Sequence, residues 1–371
     1  MSWLRGLDES ILNYLESLKI RNSKFKYSPA RKSLTVGGKN LELGFSCYAL
    51  KIHKLLNSST YNSDVEMDEW ANYINSFQKS HNKYVNNAFV DECYMKVFQK
   101  TRLLSDLGYP MKSISNYLLK TNYKSNTLKI DNYLRAETKQ SISTLSEIEK
   151  RNDLLYINYP QTEKDISNFL QNLNWSFPWS SGAQFSALCV FSKTQLKSKD
   201  FEISKNSLIN FSEKLVHAED GFYYLGKSPT QNELINGAMK ILTGFDWLGV
   251  KIHYPEKIID YCLNYDLHNG GCDIVDVVYV LYRCSKETTY RKFEVISYLE
   301  NILSELEEHY KSEEGGFSYY KTKNQTHYYD VKIIDGINQS DIHGTLLCLW
   351  AVVMIMDLTE KDYFEYKTLK P

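Results

Sequence analysis

Apolar residues return at helical spacing along most of this chain, and strict alternation is scarce, so the chain must build its core from helices packed on helices. The period predicts helices over Glu9–Ile20, Gly44–Leu56, Met67–Gln78, Asp91–Leu107, Met111–Leu119, Asn132–Lys150, Glu163–Leu173, Ser180–Leu196, Lys205–Glu219, Asn232–Leu248, Pro255–Tyr265, Asp273–Cys284, Arg291–Lys311 and Asp341–Leu358. Connections are short, and no Gly/Ser/Pro-rich linker divides the 371 residues, which argues for one all-α domain spanning 1–371.

Two connections share a form. Glu219-Asp220-Gly221-Phe222-Tyr223-Tyr224 matches Glu314-Gly315-Gly316-Phe317-Ser318-Tyr319-Tyr320 in outline, and Asn86-Asn87-Ala88-Phe89 reads as a degraded copy. Glycine permits the reversal, and the aromatic plugs between neighbouring helices, as expected where helix pairs repeat and bury their faces on one another.

These glycine-aromatic turns resemble those of the terpenoid-cyclase and protein-prenyltransferase superfamily, and the likeness extends to bacterial members linked to surface-polysaccharide genes. The resemblance implies an α/α toroid of inner and outer helices around a central cavity. Asn269-Gly270-Gly271-Cys272-Asp273-Ile274-Val275-Asp276 is similar to the helix entrance that carries a zinc-binding aspartate in prenyltransferases, and Asp341–Trp350 to the helix carrying their zinc histidine. The chain departs from that pattern at decisive positions. Val278 stands where the zinc cysteine belongs, and Gly344 where the histidine belongs, with His343 turned about 100° away. Asp-x-Asp-Asp and Asp-Asp-x-x-Asp are both absent, so no metal or cofactor is expected.

Chemistry-bearing residues gather in a few places. Asp273, Asp276, Tyr279 and Arg283 form a polar stripe on an apolar helix; the two acids suit sharing a proton, binding a divalent ion or acting as acid and base, or else Asp273 caps the helix and Asp276 pairs with Arg283 or a backbone amide. His343 lies in a first helical turn behind Asp341, where the positive helix end favours a neutral imidazole, while Asp341 itself reads as a cap. His327 and Tyr328 sit in a polar aromatic loop suited to moving protons. Arg135, Glu137 and Gln140 form a helix face that looks either inward or to solvent, and Trp179 and Gln184 follow Pro178, with Ser180 or Ser181 as a cap. Asn232, Asn236 and Lys240 recur every fourth residue, as a seam or a ligand surface.

Catalytic candidates are therefore Asp273, Asp276, His327, Tyr328 and His343. Arg135, Glu137, Trp179, Gln184, Tyr279 and Asp341 are candidates for binding substrate. Three functions fit: acid/base-assisted cyclisation or transfer on an isoprenoid-like substrate, as the resemblance implies; a glycosidase, lyase or epimerase acting on a saccharide; or a non-catalytic helical scaffold. The expected partner is a small molecule or saccharide in a central cavity.

Charge excludes other classes. Lys and Arg total 44 against 45 Asp and Glu, without a basic stripe, which argues against nucleic acid or an anionic membrane. The seven cysteines form no CxxC pair and read as buried thiols in a reducing compartment. Asp8 and Glu9 break any signal-peptide core, and the apolar run Leu346–Met356 falls short of a span of roughly 20 residues, so a cytoplasmic protein without a membrane span is expected.

Overall fold

The computed structural model describes residues 1–58, 63–79, 87–96, 125–267 and 270–371. The expected helix Met111–Leu119, the end of Asp91–Leu107, and Asn86 and Asn269 lie outside the described residues. The described residues are mostly helical, with three two-stranded hairpins among them.

In chain order the helices are α1 (Leu7–Leu18), α2 (Val36–Asn40), α3 (Leu43–Leu55), α4 (Asp64–Asn75), α5 (Asn126–Glu147), α6 (Glu163–Gln171), α7 (Pro178–Gln195), α8 (Ser198–Leu215), α9 (Gln231–Leu248), α10 (Pro255–Cys262), α11 (Gly271–Ser285), α12 (Lys292–His309) and α13 (Ile342–Thr359). Side-chain oxygens satisfy free N–H groups where a helix opens, as Ser125 does for Leu128 and Thr230 for Glu233. α7 differs from expectation. Pro178 occupies its first turn after Phe177, so Ser180 and Ser181 fall inside the helix and no side chain caps it.

Six helices have neighbours in an order that returns to its start: α3 packs on α5, α5 on α7, α7 on α9, α9 on α11, α11 on α13, and α13 on α3. Four more lie against them, α4 on α3 and α5, α8 on α7, α10 on α11, and α12 on α11 and α13, while α6 packs on α8. The α7–α9 contact is the tightest because Gly237 meets Pro178 and Gly244 meets Phe185 and Cys189, approaches that a Cβ would block. The six helices run the same way. Asn232 of α9 bonds Asp273 of α11 near their N-termini, whereas Tyr282 of α11 bonds Asp357 of α13 near their C-termini. The last residues cross those C-termini, with Lys367 N donating to Leu55 O, Lys370 N to Glu147, and Trp247 Nε1 to Pro371 O.

The hairpins recur at equivalent places. β1 (Gln78–Lys79) with β2 (Ala88–Phe89) follows α4, the Val216–Tyr223 bridge follows α8, and β3 (Tyr310–Lys311) with β4 (Gly316–Phe317) follows α12. Phe89, Tyr223 and Phe317 are the bridging residues, all buried, so the register matches Tyr223 with Phe317 where the letters suggest Phe222. Gly221 and Gly315 both carry positive φ, at 80° and 82°, and a Cβ on Gly315 would strike Ser10 O. A further hairpin, β5 (His327–Tyr328) with β6 (Val331–Lys332), reverses through Tyr329 at φ 47°. No cysteine is bridged. Ile342–Thr359 is long and apolar enough to cross a membrane by composition, yet 72% of it is buried within the fold.

Candidate functional site

Strand β5 decides which of two adjacent candidates is brought inward. Successive side chains on a strand face opposite ways, so Tyr328 is buried while His327 is exposed and pairs with Thr326 Oγ1. His327 thus stands apart from the other candidates. Tyr328 reaches across the start of α3, where Gly44 leaves room for its hydroxyl, and donates to Glu137 Oε2 at 2.5 Å. Glu137 is fully buried on α5, and its other oxygen, Oε1, has no hydrogen-bond partner among the described residues. Burial raises its pKa to about 8, against the opposing effect of the Tyr328 bond. At neutral pH Glu137 therefore carries its proton. Oε1 is the carboxyl oxygen that the Tyr328 bond leaves free.

His343 sits in the first turn of α13, stacked on Tyr48 with ring centroids 4.8 Å apart and planes within 5°. Its Nδ1 donates to Gln325 Oε1 at 2.7 Å, which leaves Nε2 as the bare acceptor. The imidazole is neutral as the sequence suggests, but the main cause is different. Burial, followed by the charge of Lys240, lowers its pKa to about 3. Asp341 is held as a cap, accepting from Gly344 N at 2.7 Å, Tyr319 N at 2.8 Å and Gln325 N at 3.1 Å. Those bonds tie the loop before α13 to its first turn and orient the Gln325 that holds His343.

On α11 the expected pairings give way to others. Gly270, not Asp273, is the N-cap residue. Asp273 Oδ1 accepts from Asn232 Nδ2 at 2.8 Å and Asn236 Nδ2 at 3.3 Å, so the asparagine row is a seam between α9 and α11. Asp276 does not pair with Arg283, whose guanidinium is taken by Asp246. Asp276 is buried with Oδ2 unpartnered, and burial raises its pKa to about 7, with Lys240 opposing and Asp273 reinforcing the shift. Tyr279 is buried beside Trp350 and reaches toward Asp246 at 3.4 Å.

Of the remaining candidates, Arg135 and Gln184 pair between α5 and α7, and Trp179 and Gln184 share a cleft. Arg135 Nη1 donates to Gln184 Oε1 at 2.5 Å and lies over the Phe169 ring. Gln184 and the 40% exposed Trp179 line a cleft of about 590 Å³ with Tyr94, Tyr133, Glu233 and Tyr329. This cleft opens beside the segment carrying Tyr328 and the helix carrying Glu137.

Sequence reasoning missed Tyr48, Lys51 and Lys139 altogether. Lysines on a helix read as solvated surface, yet Lys139 is half-buried and held well below the usual lysine range by burial and by Lys51 and Lys240. Among the described residues no group of three or more His, Cys, Asp or Glu is placed to hold a metal ion. Comparison with protein-family models, curated proteins and solved structures finds no match to this chain.

Proposed function

We propose that the six helices form the inner wall of an α/α toroid and that the chain is an enzyme performing acid–base chemistry on a saccharide-like guest held in that wall. The observation that carries this reading is the Tyr328–Glu137 bond of 2.5 Å on a carboxyl whose second oxygen is buried without a partner. A protonated carboxylic acid held by a tyrosine is a proton donor in waiting, because its free oxygen meets no partner among the described residues. His343 supplies a neutral acceptor on α13, which packs on the other side of α3 from α5. Both groups are therefore in opposite proton states at neutral pH, which suits acid and base partners.

The closed order of helix neighbours and the recurring hairpins support the toroid. The mouth combines aromatic faces on Trp179 and Tyr329 with Asn132, Gln184, Glu233 and Asp330, the mixture that recognises a ring with hydroxyls around it. An isoprenoid guest is the second reading, favoured by the same aromatic faces, but the polar groups of Asn132, Gln184, Glu233 and Asp330 beside them fit it less well. We place the protein in the cytoplasm, consistent with seven unbridged cysteines.

The test is turnover by wild type, Glu137→Gln and Tyr328→Phe on a panel of neutral and acidic oligosaccharides and isoprenyl diphosphates, followed by mass spectrometry. Conversion of a saccharide, reduced at least about 100-fold in Glu137→Gln, supports the proposal. Conversion of an isoprenyl diphosphate alone favours the second reading, and conversion unchanged in both variants refutes the assigned roles.

A further inference from the structure

The cleft of about 590 Å³ lined by residues of α5, α7 and α9 holds charges that do not balance. Three of its lining residues are charged, Lys129, Glu233 and Asp330. Lys129 Nζ is taken by Asp330 Oδ1 at 3.3 Å, which leaves the half-buried Glu233 over. No cation pairs with Glu233 among the described residues. Burial raises its pKa, and only the Trp179 amide opposes the rise. Arg135, close by, ends on Gln184 and over the Phe169 ring instead. Glu233 has a structural duty, but it occupies one oxygen. Oε2 accepts from Trp179 N at 3.2 Å, a free N–H at the start of α7, whose N-cap residue offers no side-chain bond. Oε1 bonds nothing among the described residues. Glu233 also lies in the first turn of α9, where the positive helix end favours a carboxylate.

Aromatic rings make up much of the same wall. Trp179 and Tyr329 are 40% and 44% exposed and leave ring surface open to a guest. Tyr133 stacks on Tyr94 with centroids 3.5 Å apart, and Tyr329 meets Tyr133 at 5.2 Å with planes at 84°. Elsewhere the chain sets its own cations over rings, as Arg135 over Phe169 and Lys193 over Phe201. Among the described residues none lies over Trp179, Tyr133 or Tyr329. Tyr133 Oη is buried without a hydrogen-bond partner among the described residues. Tyr329 takes φ 47° at a turn where glycine is less strained, so the hairpin holds a ring at this edge against a backbone cost.

We infer that this cleft binds the ammonium group of an amino-sugar unit, with Glu233 meeting the charge and Trp179 and Tyr329 the sugar ring. This rests on the acid–base reading above and narrows its saccharide to a cationic one. A cation is drawn both to a carboxylate and to aromatic faces. A neutral sugar gains the faces and a hydroxyl bond but leaves the carboxylate charge uncompensated, and an acidic sugar is repelled by it. Tyr133 Oη offers a further acceptor for an N–H. The cleft adjoins the proposed acid, since Tyr329 follows Tyr328 and Tyr133 lies one turn before Glu137 on α5.

The experiment is calorimetric titration of the full chain near pH 6 with glucosamine, N-acetylglucosamine and glucose at matched ionic strength. Wild type is expected to bind glucosamine saturably and at least about tenfold more tightly than either neutral sugar. Glu233→Gln keeps an acceptor for the Trp179 amide, so it should fold like wild type, as thermal unfolding checks, while the preference for glucosamine disappears. A purely structural Glu233 would show the reverse, a lower Tm with the preference kept. Trp179→Ala, at an exposed ring, should weaken glucosamine binding as well. Lys129→Met removes the cation from Asp330 and should leave glucosamine binding equal or tighter; weaker binding in that variant would assign the cleft to an anion and contradict the inference. Glu137→Gln is expected to retain glucosamine binding, so loss of turnover in that variant and loss of the amine preference in Glu233→Gln fail or hold separately. No saturable binding of glucosamine to wild type, no preference over glucose, or a preference unchanged in Glu233→Gln overturns the inference.

Discussion

Tyr328 and Glu137, 191 positions apart, meet in a hydrogen bond of 2.5 Å that joins strand β5 to the middle of α5. The bond leaves Glu137 Oε1 unpaired and buried. An arrangement that keeps a lone carboxyl oxygen out of water is costly unless the group is protonated or meets a ligand.

Tyr328→Phe should remove that donor and leave both carboxyl oxygens without partners. A loss of about 1–3 kcal/mol in unfolding free energy is expected, measured by urea titration at pH 7. Glu137→Gln keeps an acceptor for the hydroxyl and should cost less.

Stability should respond to pH through Glu137. Its folded pKa of about 8 stands above the unfolded value of 4.5, so the folded state holds more protons between them. Its contribution is full below 4.5 and is lost as pH rises through 8. The stability of Glu137→Gln minus that of wild type should therefore increase between pH 5 and pH 9, and a flat difference would exclude the raised pKa.

His343 should stay neutral. Its folded pKa of about 3 lies below the ordinary 6.5, so the unfolded state takes up a proton first and this group's contribution is lost as pH falls from about 6.5 toward 3. Ring nitrogen shifts of His343 should show one constant neutral tautomer, protonated at Nδ1, between pH 5 and 8. A midpoint near 6.5 would contradict its burial against Tyr48.

Gly44→Ala should be disruptive for a reason confined to one neighbour. A Cβ there would overlap the Tyr328 hydroxyl, at an expected cost of about 1–3 kcal/mol. Combined with Tyr328→Ala, the effect should be clearly less than additive in a double-mutant cycle.

Much of the helical frame was legible because a buried stripe needs a period near 3.6, and the observed α9 and α13 start within one residue of the expected positions. Asp341 was legible as a cap from Ser340-Asp341-Ile342-His343. Glu137 was harder. A stretch holding Arg135, Glu137 and Gln140 has the composition of solvated surface, and it is packing from other elements, α3 and α7 among them, that encloses Glu137. Periodicity cannot report what covers a face. Strand pairs of two residues also carry too little pattern, so nothing separated inward Tyr328 from outward His327. Arg283 chose Asp246 over Asp276 because a residue on the adjacent helix reached it, a contact that spacing along one helix does not encode.

The most direct test of the proton-handling centre is carbon NMR of the carboxyl of Glu137 in glutamate-labelled protein, assigned by its disappearance in Glu137→Gln. The account predicts a midpoint near 8 that moves upward in Tyr328→Phe, because the lost hydrogen bond favours the charged form. A midpoint in the ordinary carboxylate range near 4.5, unmoved by Tyr328→Phe, would contradict it.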